Sequence, residues 1–431
     1  MNKANDRTES GSSMVVSTLL APDVVIERNS NALIEARIES KRLGPGNIVH
    51  TLSLDASRDG APLWTKEVTF EVDAPFDVPE LKNEDPFLIA SLFLALETGG
   101  VLRFHGTVSR SLLRNALDYQ SAWFLAAKQL YAPFTLEVDA VDDRPPVDPG
   151  PHPRAILAFT AGLDSLLALC RNASGDAGPT RHDIGATLAI HGMGIGMNKE
   201  ADTESVIEDL REISAGWNIP LAVVKTNLPD MVGHKDLSHG TWLGACLSLF
   251  AGRFDVGLLG SSIVSYWPGW EVFGSHPLLD PLLSGSQMSI RNDEGLFQRV
   301  DKTAMLAKYP SAMEDLRVCN HPYDADRNCC RCEKCIRTML CFIASGNPIP
   351  PAFPDGLQLR DIGIGMGRRD GLDWGPVIFE AAKRYGTLDE EAIRVLRRRY
   401  RTKRVKVVTK SWVKRLMGGP PPHRWKVFDA G

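Results

Sequence analysis

Ala155-Ile156-Leu157-Ala158-Phe159-Thr160-Ala161-Gly162-Leu163-Asp164-Ser165 decides how this chain is read. The apolar run Ala155–Phe159 reads as a strand, small residues turn the chain, and Ser165–Cys170 opens a helix. The segments downstream keep that alternation. Strands are expected at Ile184–Ile190, Leu221–Lys225 and Val256–Leu259, and helices at Thr203–Gly216 and Thr241–Arg253. Such an order implies α/β architecture with a parallel sheet and right-handed crossovers. Ligands of these sheets sit beyond the carboxyl ends of the strands.

Upstream, Arg144-Pro145-Pro146-Val147-Asp148-Pro149-Gly150-Pro151-His152-Pro153 reads as a stiff linker, because proline fixes φ and removes donors. Before it, Val15–Val72 is rich in alternating segments of β type, such as Ala32–Ile38. Helical patterns near Pro86–Glu97 and Ser111–Leu130 flank a short strand at Val101–His105. The organisation expected is an α+β domain over 1–143, the linker over 144–153, the α/β domain over 154–346 and a helical, basic extension over 347–431.

The turn after the first α/β strand suits an anion. Small residues let backbone N–H groups approach closely, and the N-terminus of the next helix adds a favourable dipole. Thr160 and Ser165 supply hydroxyls, and Asp164 can cap the helix or help hold Mg2+. An ordinary strand-turn-helix with an Asp or Ser cap has the same look. No Gly-Lys-Ser/Thr follows, so this is not a Walker loop.

Cys319 and the run Cys329-x2-Cys332-x2-Cys335 have ligand spacing for Zn2+ in a closed, structural site, with Cys319 arriving on a strand. Arg331, Lys334 and Arg337 offset the thiolate charge, and Cys330 is a spare sulfur. The fourth strand leads into Ser261, then Tyr266–Trp270 and Gly274–Pro281, where Ser261, Trp270, His276 and Asp280 can stack and hydrogen-bond a flat heterocycle. A tight loop packed by tryptophans would look alike. His191, just past the second strand, is a candidate contact for adenine, although lone histidines usually serve structure. Lys302 offers a point charge for phosphates. Gly192–Gly196 and Gly363–Gly367 lack the strand-to-helix context of a dinucleotide fingerprint.

With 431 residues, 43% hydrophobic and 24% charged, the composition is that of a globular protein of two or three domains. Apolar runs such as Leu88–Leu96 are too short to span a bilayer, and Met1–Ser13 lacks a signal core. Clustered cysteines argue against a disulfide framework, so a cytoplasmic protein is expected. The net charge of −4 hides an asymmetry. Between Arg394 and Arg415 lie eleven Lys or Arg and no acid. That stretch suits nucleic acid or an anionic membrane, and equally a solvated tail.

Thr160-Ala161-Gly162-Leu163-Asp164-Ser165 resembles the Ser-Gly-Gly-x-Asp-Ser signature of PP-loop ATP pyrophosphatases. The cysteine cluster resembles the zinc knuckle of one branch, the 7-cyano-7-deazaguanine synthases (QueC type). The likeness covers about Arg154–Gly346 and implies the adenine nucleotide alpha-hydrolase fold, a Rossmann-like parallel sheet. It also implies an ATP-dependent C–N ligase that adenylates a planar acid, releases pyrophosphate and passes the acyl group to ammonia or an amine. Loop 160–165 would hold the phosphates with Mg2+, and Lys302 resembles the synthase's lysine before its last helix. Departures point to an altered reaction: Thr160 for serine, Ala161 for glycine, Ser238-His239-Gly240 before a helix where an Arg-Asn pair is usual, and Cys330 for glycine. Expected partners are the small-molecule substrate and a protein or amine acceptor, with nucleic acid through 394–415 and a second copy of the chain left open. A tRNA-modifying relative and a non-catalytic, zinc-stabilised binding module are the competing readings.

Overall fold

In a computed structural model of the chain, the described residues are 14–16, 31–191, 200–261, 273–293, 295–319 and 328–358, with isolated positions from 375 to 401. Trp270, the aromatic loop around it, both glycine-rich runs and most of 394–415 lie outside them.

The first half runs β1 (Met14–Val16), β2 (Ala32–Arg42), β3 (Asn47–Arg58), β4 (Ala61–Asp73), α1 (Asp85–Thr98), β5 (Gly100–Ser109), α2 (Arg110–Ala126) and β6 (Phe134–Asp142). The second runs β7 (Arg154–Ala158), α3 (Leu163–Ser174), β8 (Asp183–His191), α4 (Glu200–Gly216), β9 (Leu221–Thr226), α5 (Leu228–Met231), α6 (Lys235–Ser248), β10 (Val256–Gly260), β11 (Ser289–Asp293), α7 (Arg299–Leu306), α8 (Pro310–Asp315) and α9 (Glu333–Ala344). The alternation read from the sequence is present throughout the second half. Ser238-His239-Gly240, expected to precede a helix, lies inside α6, which starts earlier than the apolar pattern.

Among the described residues all eleven strands form one sheet in the order β1-β6-β5-β2-β3-β4-β9-β8-β7-β10-β11, mostly parallel. The sequence expects two domains on either side of the proline-rich stretch. The sheet instead runs through both, because β4 and β9 pair antiparallel over Phe70–Asp73 and Val223–Thr226. One apolar core shares this continuity. It holds Phe87, Phe93 and Trp123 of the first half with Ile156, Leu188, Val224 and Leu247 of the second. α1 is buried along its length except at Glu97, wedged between the sheet and α6. Gly244 of α6 makes room for Leu283, since a Cβ there would lie 2.9 Å from its side chain.

A second core lies on the opposite face, under α3, α4, α7 and α9, and only the second half reaches it. The strands of that half are therefore apolar on both sides, as parallel strands covered by helices must be.

Candidate functional site

Strands β9, β8, β7, β10 and β11 are parallel to one another. The chain builds outward from β7 to β9, then returns to place β10 on the other side of β7. This reversal falls between β7 and β10, and beyond the carboxyl ends of the strands at such a point is where open α/β sheets take ligands. The loop Phe159–Gly162 follows the end of β7, and Ser261 follows the end of β10.

The loop is held tightly. Phe159 N–H donates to Leu188 O at 2.8 Å, and Arg317 N–H donates to Ala161 O at 2.8 Å. Thr160 N–H donates to Ser165 Oγ at 3.3 Å. Ala161 is buried with φ of +51°, in the region that favours glycine, so alanine at this position comes with backbone strain. α3 begins at Gly162 without a side-chain cap, which leaves the helix's first N–H groups directed at the loop. Thr160 is exposed, Gly162 and Asp164 are half-buried, and Leu163 and Ser165 are buried. Gly260 is required by close packing: a Cβ there would lie 2.7–2.8 Å from the backbone of Asp164 and Ser165.

Asp164 does not cap the helix. Its Oδ1 lies 2.9 Å from Lys302 Nζ, and its Oδ2 lies 3.3 Å from Arg299 Nη1. Burial pushes its carboxyl up, but the charges of Lys302 and Arg299 more than reverse this and hold it below the usual range. Lys302 is only 2% exposed and also donates to Ser261 O. Ser261 N–H donates to Asp293 O at 2.8 Å, so its backbone joins the ends of β10 and β11 to the lysine. With both oxygens of Asp164 facing cations, the loop offers Mg2+ no free carboxylate, and no step is assigned to that ion.

A further cation acts on Asp164 from α9. Arg337 of α9 pairs with Glu333 at 3.3 Å, and burial and the nearby Arg299 lower its basicity. Burial and Arg299 do the same to Lys334. The Nε atoms of Arg299 and Arg337 are buried without a hydrogen-bond partner among the described residues. In the sequence Lys334 and Arg337 stand beside the sulfur cluster, and Arg299 looks like one charge among many on a helix.

His191 ends β8 beside Lys225 of β9, half-buried at the same carboxyl edge. The other proposed substrate contacts are occupied within the protein. Asp280 is fully buried, accepting from Ser275 Oγ at 2.7 Å, His276 N–H at 3.0 Å and Asn292 Nδ2 at 2.5 Å. His276 Nδ1 accepts from Leu278 N–H at 3.1 Å. These two residues tie the loop after β10 to β11.

The four cysteines converge. The sulfurs of Cys319, Cys329, Cys332 and Cys335 all lie within 4.8 Å of one another. Three of the separations are 3.9, 4.0 and 3.4 Å, against about 3.8 Å for sulfurs 2.3 Å from a tetrahedral zinc. The group can hold a metal ion such as zinc. Cys332 caps α9, accepting from Cys335 N–H, and Cys319 arrives on an irregular segment rather than the strand expected. Cys330 is no ligand: it has φ of +53° and points its thiol at Asn328 O, 3.5 Å away. Asn328, missed in the sequence, accepts from Val318 and Cys319 N–H and donates to Leu316 O and Ala352 O. It locks the two limbs of the knuckle together. The remaining cysteines, Cys170, Cys246 and Cys341, are buried, and burial pushes their thiols up, to about 12 for Cys170 and about 11 for Cys341.

No family model, curated protein or solved structure matches the chain. Among the described residues no helix is long and apolar enough to cross a membrane.

Proposed function

We propose that the chain is an ATP-dependent ligase of the PP-loop type. It would adenylate the carboxylate or amide of a planar, deazaguanine-like acid with release of pyrophosphate, then pass the activated group to ammonia or an amine with release of AMP. The observation that carries this reading is the uncapped start of α3 at the strand-order reversal, where Lys302 and Arg299 pair with Asp164 and Arg337 acts on it electrostatically. A polyphosphate is the ligand chemistry that uses both a helix N-terminus and buried cations.

Each residue has a definite task in that reading. The N–H groups at the start of α3 and the hydroxyl of Thr160 grip phosphate oxygens. Lys302, already oriented by Asp164 and Ser261 O, stabilises the negative charge that grows on the departing pyrophosphate. Catalysis here is positioning and charge neutralisation, with little covalent work for the protein. The cysteine cluster holds four thiolates with no position left for substrate, so a zinc ion there supplies structure alone.

The tRNA-thiolating alternative needs an accessible, low-pKa thiol near the nucleotide. Cys170, Cys246 and Cys341 are buried and hard to ionise, which disfavours it. The test is pyrophosphate release from ATP with 7-carboxy-7-deazaguanine and ammonium as substrates. Release that requires the acid and disappears in Lys302→Met supports the ligase; no release with any planar acid rejects it.

A further inference from the structure

We infer that Asp164 is an internal counter-ion with one exchangeable partner: a phosphate arriving at loop 160–165 takes Arg299 from its carboxylate, while Lys302 stays in place. This rests on the reading that a polyphosphate binds that loop.

The two cations stand three residues apart on one face of α7 and reach the two oxygens of one carboxylate. They are held very differently. Lys302 is almost fully buried and donates both to Asp164 Oδ1, 2.9 Å away, and to Ser261 O at the end of β10. Parting it from Asp164 would strand a buried ammonium, so that pair is fixed. Arg299 keeps 22% of its side chain exposed. Of the five N–H groups on a guanidinium, one is used, from Nη1 to Asp164 Oδ2. Its length of 3.3 Å is well beyond the roughly 2.7–2.9 Å of a strong charged hydrogen bond. Arg299 therefore gives up little on leaving Asp164, and its planar fork remains available to a pair of phosphate oxygens.

Asp164 is the second residue of α3, so its carboxylate already supplies negative charge at the helix end that favours it. A phosphate at the same end competes with it for Arg299. The exchange strands no buried charge, because Asp164 keeps Lys302 and the field of Arg337 while the guanidinium gains a bidentate partner. The backbone of α7 need not move. Gln298 N–H donates to the Asp301 carboxylate at 3.1 Å, and Thr303 Oγ1 donates to Val300 O at 2.7 Å and to Ser345 Oγ at 3.3 Å. With the start of α7 fixed in this way, Arg299 swings by its own side-chain torsions and does not carry Lys302 along.

Titration calorimetry on the full chain with inorganic pyrophosphate and with a non-hydrolysable ATP analogue, alongside melting temperatures, tests this. Wild type is expected to bind both ligands. Arg299→Met should keep the wild-type melting temperature and bind each at least about tenfold more weakly, and Arg299→Lys should recover only part of the loss. Asp164→Asn, which removes the internal competitor, should melt lower than wild type yet bind pyrophosphate more tightly. Wild-type affinity in Arg299→Met overturns the inference and leaves the ligase reading intact, as does weaker pyrophosphate binding by Asp164→Asn. A melting temperature in Arg299→Met as low as that of Lys302→Met overturns it too, since Arg299 would then brace the fold. Absence of binding by wild type overturns both.

Discussion

The two halves of the sheet differ in how many faces they bury. In the first half β2 and β3 alternate buried and accessible positions residue by residue. One face packs on α1 and α2. The other displays Glu35, Arg37, Arg103 and Glu137, whose ion pairs span β2, β5 and β6. In the second half β8, β9 and β10 are buried in nearly continuous runs, because helices cover both faces. The lesson concerns where chemistry sits. A helix that crosses over between parallel strands starts at the carboxyl edge of the sheet, so each crossover brings an N-terminus and a loop to one rim. The hairpin-connected strands β2, β3 and β4 deliver no helix start between them. Loop 160–165, Ser261, Lys302 and His191 accordingly collect at the rim of the doubly covered half.

The contrast is sharpest within the first half itself, where it predicts the largest effect. Phe93 is fully buried and packs edge-on against Trp123 at 5.0 Å and Tyr131 at 5.2 Å. Phe93→Ala should cost about 3–5 kcal/mol. Asp55, on the open face of β3, should cost no more than about 0.5 kcal/mol on replacement by alanine. Urea unfolding of the two variants checks this. Equal losses would mean that the second face is covered after all.

Opposite pH responses distinguish the halves next. In the first, Asp85 is buried, and burial raises its carboxyl to about 6. The folded chain then holds that proton more tightly than the unfolded chain, where the value is about 4. Asp85 therefore opposes folding increasingly as pH rises from about 4 to about 6, and by a constant amount above. In the second, Asp164 is held low, so it favours folding above about pH 4 and loses that contribution as pH falls through its folded value. Asp85→Asn should raise stability at pH 7 by ~2 kcal/mol and remove part of the decline between pH 4 and 6. Asp164→Asn strands the buried ammonium of Lys302 and should cost about 3 kcal/mol at pH 7, less below pH 4. Urea midpoints of both variants from pH 3 to 7 decide; parallel profiles would mean that the two carboxylates share one environment.

Most of the second half was legible because its signals are local. Apolar runs of strand length, a small-residue turn and ligand-spaced cysteines each state their role within ten or so residues, and the strand and helix assignments there follow. What stayed hidden depends on contacts distant in sequence. Phe70–Asp73 and Val223–Thr226 carry nothing that pairs them, so the union of the two halves in one sheet could not be read. β11, Ser289–Asp293, is short and polar and owes its place to β10. Arg299 and Arg337 look like solvated helix charges until the fold turns them inward, and Asn328 gains meaning only from the four groups around it. His276 and Asp280 misled for the converse reason: polar residues in a loop beside a site look ready for ligand, and here they hold the loop together.

The smallest expected effect asks how each half tolerates a left-handed residue other than glycine. Asp59, in the two-residue turn between β3 and β4, has φ of +51°, and its side chain accepts from Asn31 Nδ2 at 2.8 Å. Aspartate tolerates that region and is compensated there. Ala161 has the same φ without a polar side chain to offset it. Ala161→Gly should relieve roughly 1–2 kcal/mol of strain. Against this stand the loss of a buried methyl, about 0.8 kcal/mol, and the greater entropy of the unfolded chain, about 0.4–1 kcal/mol. The terms nearly cancel, so a change in stability within about 1 kcal/mol is expected, measured by differential calorimetry. A loss above about 2 kcal/mol would show that the methyl is a packing group of the second core and that the turn prefers alanine. Near-neutrality would leave strain as the cost of this substitution, borne in the turn where an anion must approach the backbone.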